Sequence, residues 1–166
     1  MSNNQEVHIL KVEGSDREAF DPILDKSFEG WYQRHAKRTL REIETVFAAN
    51  LGEKGAGVSM LKKLDSNTGY VYYIAVDPEF RGKKIGSKLL DASLDFFFKE
   101  GANSVFASLV QEHDEGNFLF ESRGFRRTNF KEVSKRYGSL HAVNMYRKML
   151  VVTGEVVVFK DLVKPL

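Results

Sequence analysis

Apolar and polar positions alternate from Val7 to Val12, and this period of two predicts a first strand. Ser15-Asp16-Arg17-Glu18 has the spacing of a capping box, and Asp21-Pro22 offers a second cap with proline at a first helical position. Two helices are therefore expected between Ser15 and about Thr45, with Gly30 as the break between them. Thr45–Leu51 and Gly57–Leu64 read as strands on either side of a glycine-rich turn at 52–55. A turn cluster, Asp65-Ser66-Asn67-Thr68-Gly69, leads into Tyr70–Val76, which is apolar on both faces and so predicts a central strand. Next, Ile85, Leu89, Leu90, Leu94, Phe97 and Phe98 recur at helical spacing opposite Lys88, Asp91, Asp95 and Lys99, and Gly101 closes that helix. Ser104–Val110 predicts a buried strand, and Asp114–Arg123 a short helix ended by Gly124. Strands are expected near Ala142–Met149 and Val156–Phe159, with an irregular basic stretch, Arg126–Gly138, before them. The order β-αα-βββ-α-β-α-ββ predicts one domain over residues 1–166, of mixed α/β (α+β) class. Its sheet should be mostly antiparallel, flanked by helices, with one central parallel pair.

Composition narrows the chemistry. At 166 residues the chain is long enough for one domain with a substantial core. It has no cysteine, so disulfides, thiolate metal centres and a cysteine nucleophile are excluded. Four scattered histidines form no H-x-x-x-H pair, and no dedicated metal site is expected. The longest apolar runs, Tyr70–Val76 and Met149–Thr153, are too short to span a bilayer, so no membrane partner is expected. Met1–Glu6 is polar and lacks an apolar signal core, which makes the cytoplasm the expected location. Net charge is +2, but residues 1–80 carry −3 and residues 81–166 carry +5. The basic excess begins at Arg81 and points to an anionic partner, a phosphorylated cofactor or nucleic acid.

The segment that follows the central strand concentrates this charge. Asp77-Pro78-Glu79-Phe80-Arg81-Gly82-Lys83-Lys84-Ile85-Gly86 is a short, basic, glycine-containing loop that opens a helix. A helix N-terminus presents unpaired N–H groups and partial positive charge, which suits phosphate. Gly82 and Gly86 would let backbone approach the anion, while Arg81, Lys83 and Lys84 add charge. An ordinary strand-to-helix turn with a solvated lysine cluster fits the same residues.

Ile74–Leu90 resembles the central motif of the GNAT superfamily of acetyl-CoA-dependent N-acetyltransferases: an apolar strand, V-x-P, then (R/Q)-x-x-G-x-(G/A), then a helix. Leu119-Phe120-Glu121-Ser122-Arg123-Gly124-Phe125 is similar to the family's L-Y-E-x-x-G-F. One helix–strand unit separates the two motifs, as in the family. The resemblance implies that the parallel strand pair splays and that the substrate is acetyl-CoA. The pyrophosphate of acetyl-CoA would sit on the N–H groups of Arg81, Gly82, Lys83, Lys84, Ile85, Gly86 and Ser87, and its pantetheine arm would pair with the edge of Ile74, Ala75 and Val76. The N–H of Val76 would stabilise the oxyanion that develops on the thioester, and transfer to a primary amine would be direct. Three positions depart from the family pattern. Lys84 replaces the first loop glycine. Phe120 stands where a tyrosine usually protonates the departing thiolate. His113 occupies the place of a cofactor-contacting asparagine, where it either takes over part of the acid role through water or simply caps the helix beginning at Asp114.

The general base suggested by the resemblance is a carboxylate acting through water. Glu29 lies between the N-terminal helices, a region that lines the acceptor site in the family, and Glu112 ends the second wedge strand; either could equally be a plain surface carboxylate. Tyr70, Tyr72 and Tyr73 are expected in the core, with one available to line an acceptor tunnel. Trp31 is expected to bury against the sheet, the alternative being a grip on a peptide or amine. Arg123–Lys148 holds eight basic residues against Glu132 and is read first as a solvated face. RNA binding there sustains a second hypothesis, a non-catalytic module that holds CoA or RNA, although nucleic acid is the less favoured partner. Among acceptors, protein N-termini or lysines are slightly favoured over small amines, which allows a protein or peptide partner. A homodimer through the C-terminal strands, such as Val156–Phe159, is also considered.

Overall fold

Seven strands form the sheet of the computed structural model, which describes residues 5–162, and the inner ones are buried on both faces. The polar N-terminal reading at Met1–Glu6 falls mostly outside those residues. The strands are β1 (Val7–Lys11), β2 (Thr45–Leu51), β3 (Lys54–Asp65), β4 (Thr68–Val76), β5 (Ser104–Val110), β6 (Arg126–Thr128) and β7 (Glu155–Asp161). They hydrogen-bond in the order β1-β2-β3-β4-β5-β7-β6. The β1–β2, β2–β3, β5–β7 and β6–β7 pairs are antiparallel, and β4–β5 is parallel. The helices are α1 (Asp21–Ser27), α2 (Gly30–Glu42), α3 (Ile85–Lys99), α4 (Asp114–Ser122), α5 (Phe130–Tyr137) and α6 (Ser139–Met149). Among the described residues, no helix is long and apolar enough to cross a membrane.

The chain forms two compact units. One comprises the residues up to Lys62 together with Tyr73–Asp95; the other comprises Lys63–Tyr72 and the residues from Phe96 onward. In the first unit, Ala49, Leu51, Ala56, Ile85 and Leu89 form a buried cluster against which Ile74, Val76 and Phe80 pack. The segment expected to be capped by Ser15 is instead a 3-10 helix, Gly14–Phe20, that starts after Glu13 without a side-chain cap. Its Arg17 is buried and donates to the carbonyls of Val12, Leu40, Ile43 and Glu44. A buried guanidinium with four acceptors outweighs a surface capping bond, so the turn tightens around it.

In the second unit, Tyr70, Phe106, Val133, Met145, Met149 and Val157 share a core with Leu64 and Ala142. The parallel ladder runs from Thr68↔Ser104 to Val71↔Ala107, while β4 continues to Val76. Gly69 is required there, because a Cβ would lie 2.5 Å from the Phe97 ring. Two sequence readings are corrected in this unit. Ala142–Met149 belongs to helix α6: Ala142, Met145 and Met149 are all buried at helical spacing. Arg126–Gly138 is ordered as β6 and α5. The Asn129 side chain caps α5 by accepting from the Glu132 N–H at 2.9 Å, and Thr128 Oγ1 donates to the Glu132 carboxylate at 2.9 Å. The basic residues of this stretch are mostly exposed, as a solvated face requires. Arg136 pairs with Asp161 at 2.6 Å, and Arg126 and Arg136 both lie over the Phe159 ring. β7 is an inner strand, with β5 on one side and β6 on the other over Val157–Phe159.

Candidate functional site

Ile74, Ala75 and Val76 end β4, and Asp77 follows as a buried residue. The Asp77 N–H donates to the carbonyl of Ala56 at 2.8 Å, which fixes where the chain leaves the strand. The Asp77 side chain then accepts from the Glu79 N–H at 3.0 Å and caps a single 3-10 turn, Pro78–Phe80. Its second oxygen receives Lys26 of α1 at 3.0 Å. Burial alone would raise the Asp77 pKa, but the Glu79 N–H, the Lys26 ammonium and the Arg81 charge together hold it below the ordinary aspartate value. Lys26 is raised in turn, chiefly by its hydrogen bond to Asp77.

Arg81, Gly82, Lys83 and Lys84 form the exposed loop before α3. Gly82 takes φ +80°, and a Cβ there would meet nothing within 4 Å, so the loop is open on that side. Lys83 Nζ lies 5.7 Å from the Phe80 ring centroid. Lys84, at the position of the family's first glycine, adopts φ +61°. The glycine-like backbone is therefore kept while the side chain is not glycine, at a cost of about 1–2 kcal/mol for an L-residue in this region. The Lys84 carbonyl accepts the first helical bond, from the Lys88 N–H at 3.0 Å. The N–H groups of Ile85, Gly86 and Ser87 thus belong to the first turn of α3, where no intrahelical acceptor exists.

Ile85 and Leu89 are almost fully buried and anchor this turn. Gly57 of β3 makes their seat: a Cβ there would lie 2.9 Å from the Ala75 carbonyl oxygen and 2.9 Å from Leu89 Cδ1. Arg81 to Ser87, together with Ile74 to Val76, therefore fall in one unit and form a continuous strand–loop–helix surface with basic side chains and open backbone donors. Sequence reasoning missed Gly57, Lys26 and the role of Asp77; the V-D-P signature at 76–78 was the available signal for the last.

The other predicted residues are placed separately. Glu29 is exposed at the N-cap of α2 and makes no side-chain cap bond. In the second unit, Glu112 is exposed after β5, and His113 caps α4 by accepting from the Gly116 N–H at 3.1 Å. Phe120 is buried edge-on against Phe125, with centroids 5.0 Å apart. Asn117 of the same helix, absent from the sequence candidates, is nearly buried and donates to the carbonyls of Val110, Gln111 and His113. Tyr70 is a core residue whose hydroxyl lies 2.9 Å from Ser108 Oγ and 3.1 Å from the Met149 carbonyl oxygen. Burial of Tyr72 pushes its phenol up to about 12.

Trp31 is not buried against the sheet. It is 46% exposed on the first turn of α2 and stacks on His35, with centroids 4.7 Å apart. His35, passed over as one of four scattered histidines, sits with Nδ1 2.8 Å from the Tyr73 hydroxyl. Among the described residues, no group of three or more His, Cys, Asp or Glu is arranged to hold a metal ion.

Comparison with known proteins gives a consistent result. Residues 15–125 match the model of the acetyltransferase (GNAT) family. Over 94 residues (52% of this chain, 32% of the relative) the sequence is 33% identical to mycothiol acetyltransferase of Beutenbergia cavernae. Over 92 residues (55% of this chain, 56% of the relative) it is 30% identical to N-alpha-acetyltransferase RimI of Mycobacterium tuberculosis. The matched regions thus span about a third and just over half of those relatives' lengths. The fold is that of the ribosomal-protein-S18-alanine N-acetyltransferase of Escherichia coli, with TM-score 0.72 and 16% identity over 96% of each chain. A Bacillus subtilis acetyltransferase in complex with CoA shares it too, with TM-score 0.69 and 19% identity over 95% of this chain and 100% of that one.

Proposed function

The chain belongs to the acetyltransferase (GNAT) family, and from that premise we propose that residues 1–166 act as one N-acetyltransferase domain that moves an acetyl group from acetyl-CoA directly to a primary amine. The observation that carries this reading is the loop Arg81–Ser87. Its left-handed residues at 82 and 84 and the open first turn of α3 suit the pyrophosphate of acetyl-CoA. Acetyl-CoA is the substrate that supplies the activated acyl group. Arg81, Lys83 and Lys84 add positive charge, and the backbone of Ile74–Val76 orients the arm that leads to the thioester. The Val76 N–H is assigned to the oxyanion, a role typically worth a few kcal/mol. An acceptor α-amino group of a protein or peptide, or a lysine, is favoured over small amines. Support comes from the name of the Mycobacterium relative and from the Escherichia coli structural neighbour, whose stated substrate is a protein alanine.

Isothermal titration with acetyl-CoA tests the cofactor half of the proposal. Binding is expected at micromolar to sub-millimolar concentration, and no binding at roughly 1 mM overturns it. Mass spectrometry of products from a mixed panel of amines and peptides then identifies the acceptor.

Phe120 favours a second reading, a CoA-holding module without catalysis, because a phenyl ring has no proton for a leaving thiolate. Turnover of acetyl-CoA with any amine in the panel excludes that reading.

A further inference from the structure

Successive side chains of a strand point to opposite faces. On β4, Ile74 and Val76 pack with Ile85 and Leu89 of α3, the helix that opens on the proposed pyrophosphate loop. Tyr73 is out of phase with them and turns to α1 and α2. Its ring meets Phe28 edge-on with centroids 5.3 Å apart, and its hydroxyl is 2.8 Å from His35 Nδ1. His35 is backed by the exposed Trp31, nearly coplanar at 14°. One face of this short segment thus serves the cofactor helix, and the other carries a phenol hydrogen-bonded to an imidazole beside an exposed aromatic surface.

We propose that Tyr73, held by His35, is the proton carrier on the acceptor side of the transfer. This rests on the N-acetyltransferase reading and assigns within it the base that Glu29 and Glu112, both exposed, were candidates to supply. The acceptor ammonium gives one proton to the Tyr73 oxygen as the tyrosine's own proton passes to Nδ1 of His35, whose other ring proton is on Nε2. The freed amine nitrogen forms the C–N bond to the acetyl carbon. The C–S bond breaks with its electron pair on sulfur, and the second amine proton reaches the thiolate through water. The imidazolium then returns its proton to solvent, so the sum is an amide, free CoA thiol and one released proton. The reaction written this way needs no proton from position 120, since the substrate amine supplies the leaving group's proton through water. His35 faces the Tyr73 phenol from β4 and lies beside Trp31 and Thr39 of its own helix.

The test compares wild type, Tyr73→Phe and His35→Asn, using acetyl-CoA and the fastest acceptor among a peptide with a free N-terminal alanine, an Nα-blocked lysine peptide and spermidine. Tyr73→Phe keeps the ring against Phe28 and removes only the hydroxyl. Near neutral pH a loss in kcat of about 100-fold is expected, with acetyl-CoA Kd within about three-fold of wild type. His35→Asn should remove the acidic limb of the kcat/KM profile. Both variants should regain rate as pH rises through the acceptor's own pKa, about 8 for an α-amino group and about 10 for a lysine side chain. Superimposable pH profiles and rates within about three-fold of wild type overturn the proposal. So does a loss of acetyl-CoA affinity that matches the loss of rate, which would make the pair structural. A wild type that binds acetyl-CoA but acetylates none of the three acceptors overturns this assignment and the enzymatic reading together, whereas an active wild type with indifferent variants overturns the assignment alone.

Discussion

The carboxylate of Asp77 and the ammonium of Lys26 meet at 3.0 Å, tying the turn after β4 to the last turn of α1. The pair is asymmetric: Asp77 is buried, whereas Lys26 is about half exposed. A carboxylate whose folded pKa is depressed stabilises the fold above its unfolded pKa, and that contribution is lost as pH falls through the folded value. Relative to Asp77→Asn, wild type should therefore be more stable by a constant margin at neutral pH. The margin should shrink below about pH 3.9, the ordinary aspartate value. Thermal melting of both proteins from pH 7 to pH 3 measures it, and a margin that grows on acidification would contradict the assignment.

Lys84 carries a glycine's backbone angle without being glycine. Lys84→Gly should relieve about 1–2 kcal/mol of left-handed strain and give back about 0.5–1 kcal/mol in chain entropy. The net expectation is a gain of about 0.5–1 kcal/mol, a rise in Tm of a few degrees for a chain of this size. Lys84→Val should lower Tm, because branching at Cβ worsens the same conformation. Equal melting of all three proteins would show that the loop relaxes without cost.

Gly57 leaves no room for a methyl group between the Ala75 carbonyl and Leu89. Gly57→Ala should cost about 1–3 kcal/mol in urea unfolding, as overpacking does in well-filled cores. Because the displaced atoms seat the first turns of α3, acetyl-CoA affinity should weaken alongside stability. A stable variant with unchanged affinity would separate the seat from the site.

Gly86 lies in the first turn of α3, where the proposed pyrophosphate sits. Gly86→Glu places a carboxylate and a side chain at that position. Loss of acetyl-CoA binding by about 100-fold or more is expected by titration, with melting close to wild type. Retained affinity would move the anion site elsewhere.

These positions differ in how far they could be read from the chain. Thr45–Leu51 and Ser104–Val110 were legible to their end residues because turn signals bound them and their interiors are apolar. The strand–loop–helix at 74–90 was legible because its chemistry is local: the loop, its charges and the first helical turn are contiguous. The 142–149 segment misled because Ala142, Val143 and Met145 supply apolar character that suits either period, and only burial of Met145 and Met149 on one face decides for helix. α5 was missed although Asn129 and Glu132 stand at capping-box spacing, since six basic residues within 123–136 suggested a solvated stretch. The His35–Tyr73 contact joins residues 38 apart on a helix and a strand, and no local pattern reports such a meeting.

The two arginines at 17 and 81 are opposites in accessibility. Arg17 is buried and bound to four carbonyls, whereas Arg81 stands exposed at the mouth of the loop. An arginine-directed labelling reagent therefore has two clocks within one molecule. On the proposed assignment of the loop, the mark at 81 would report its occupancy by an anion, and the mark at 17 the opening of the fold. A single peptide map can follow ligand and stability at once, with each guanidinium serving as the control for the other.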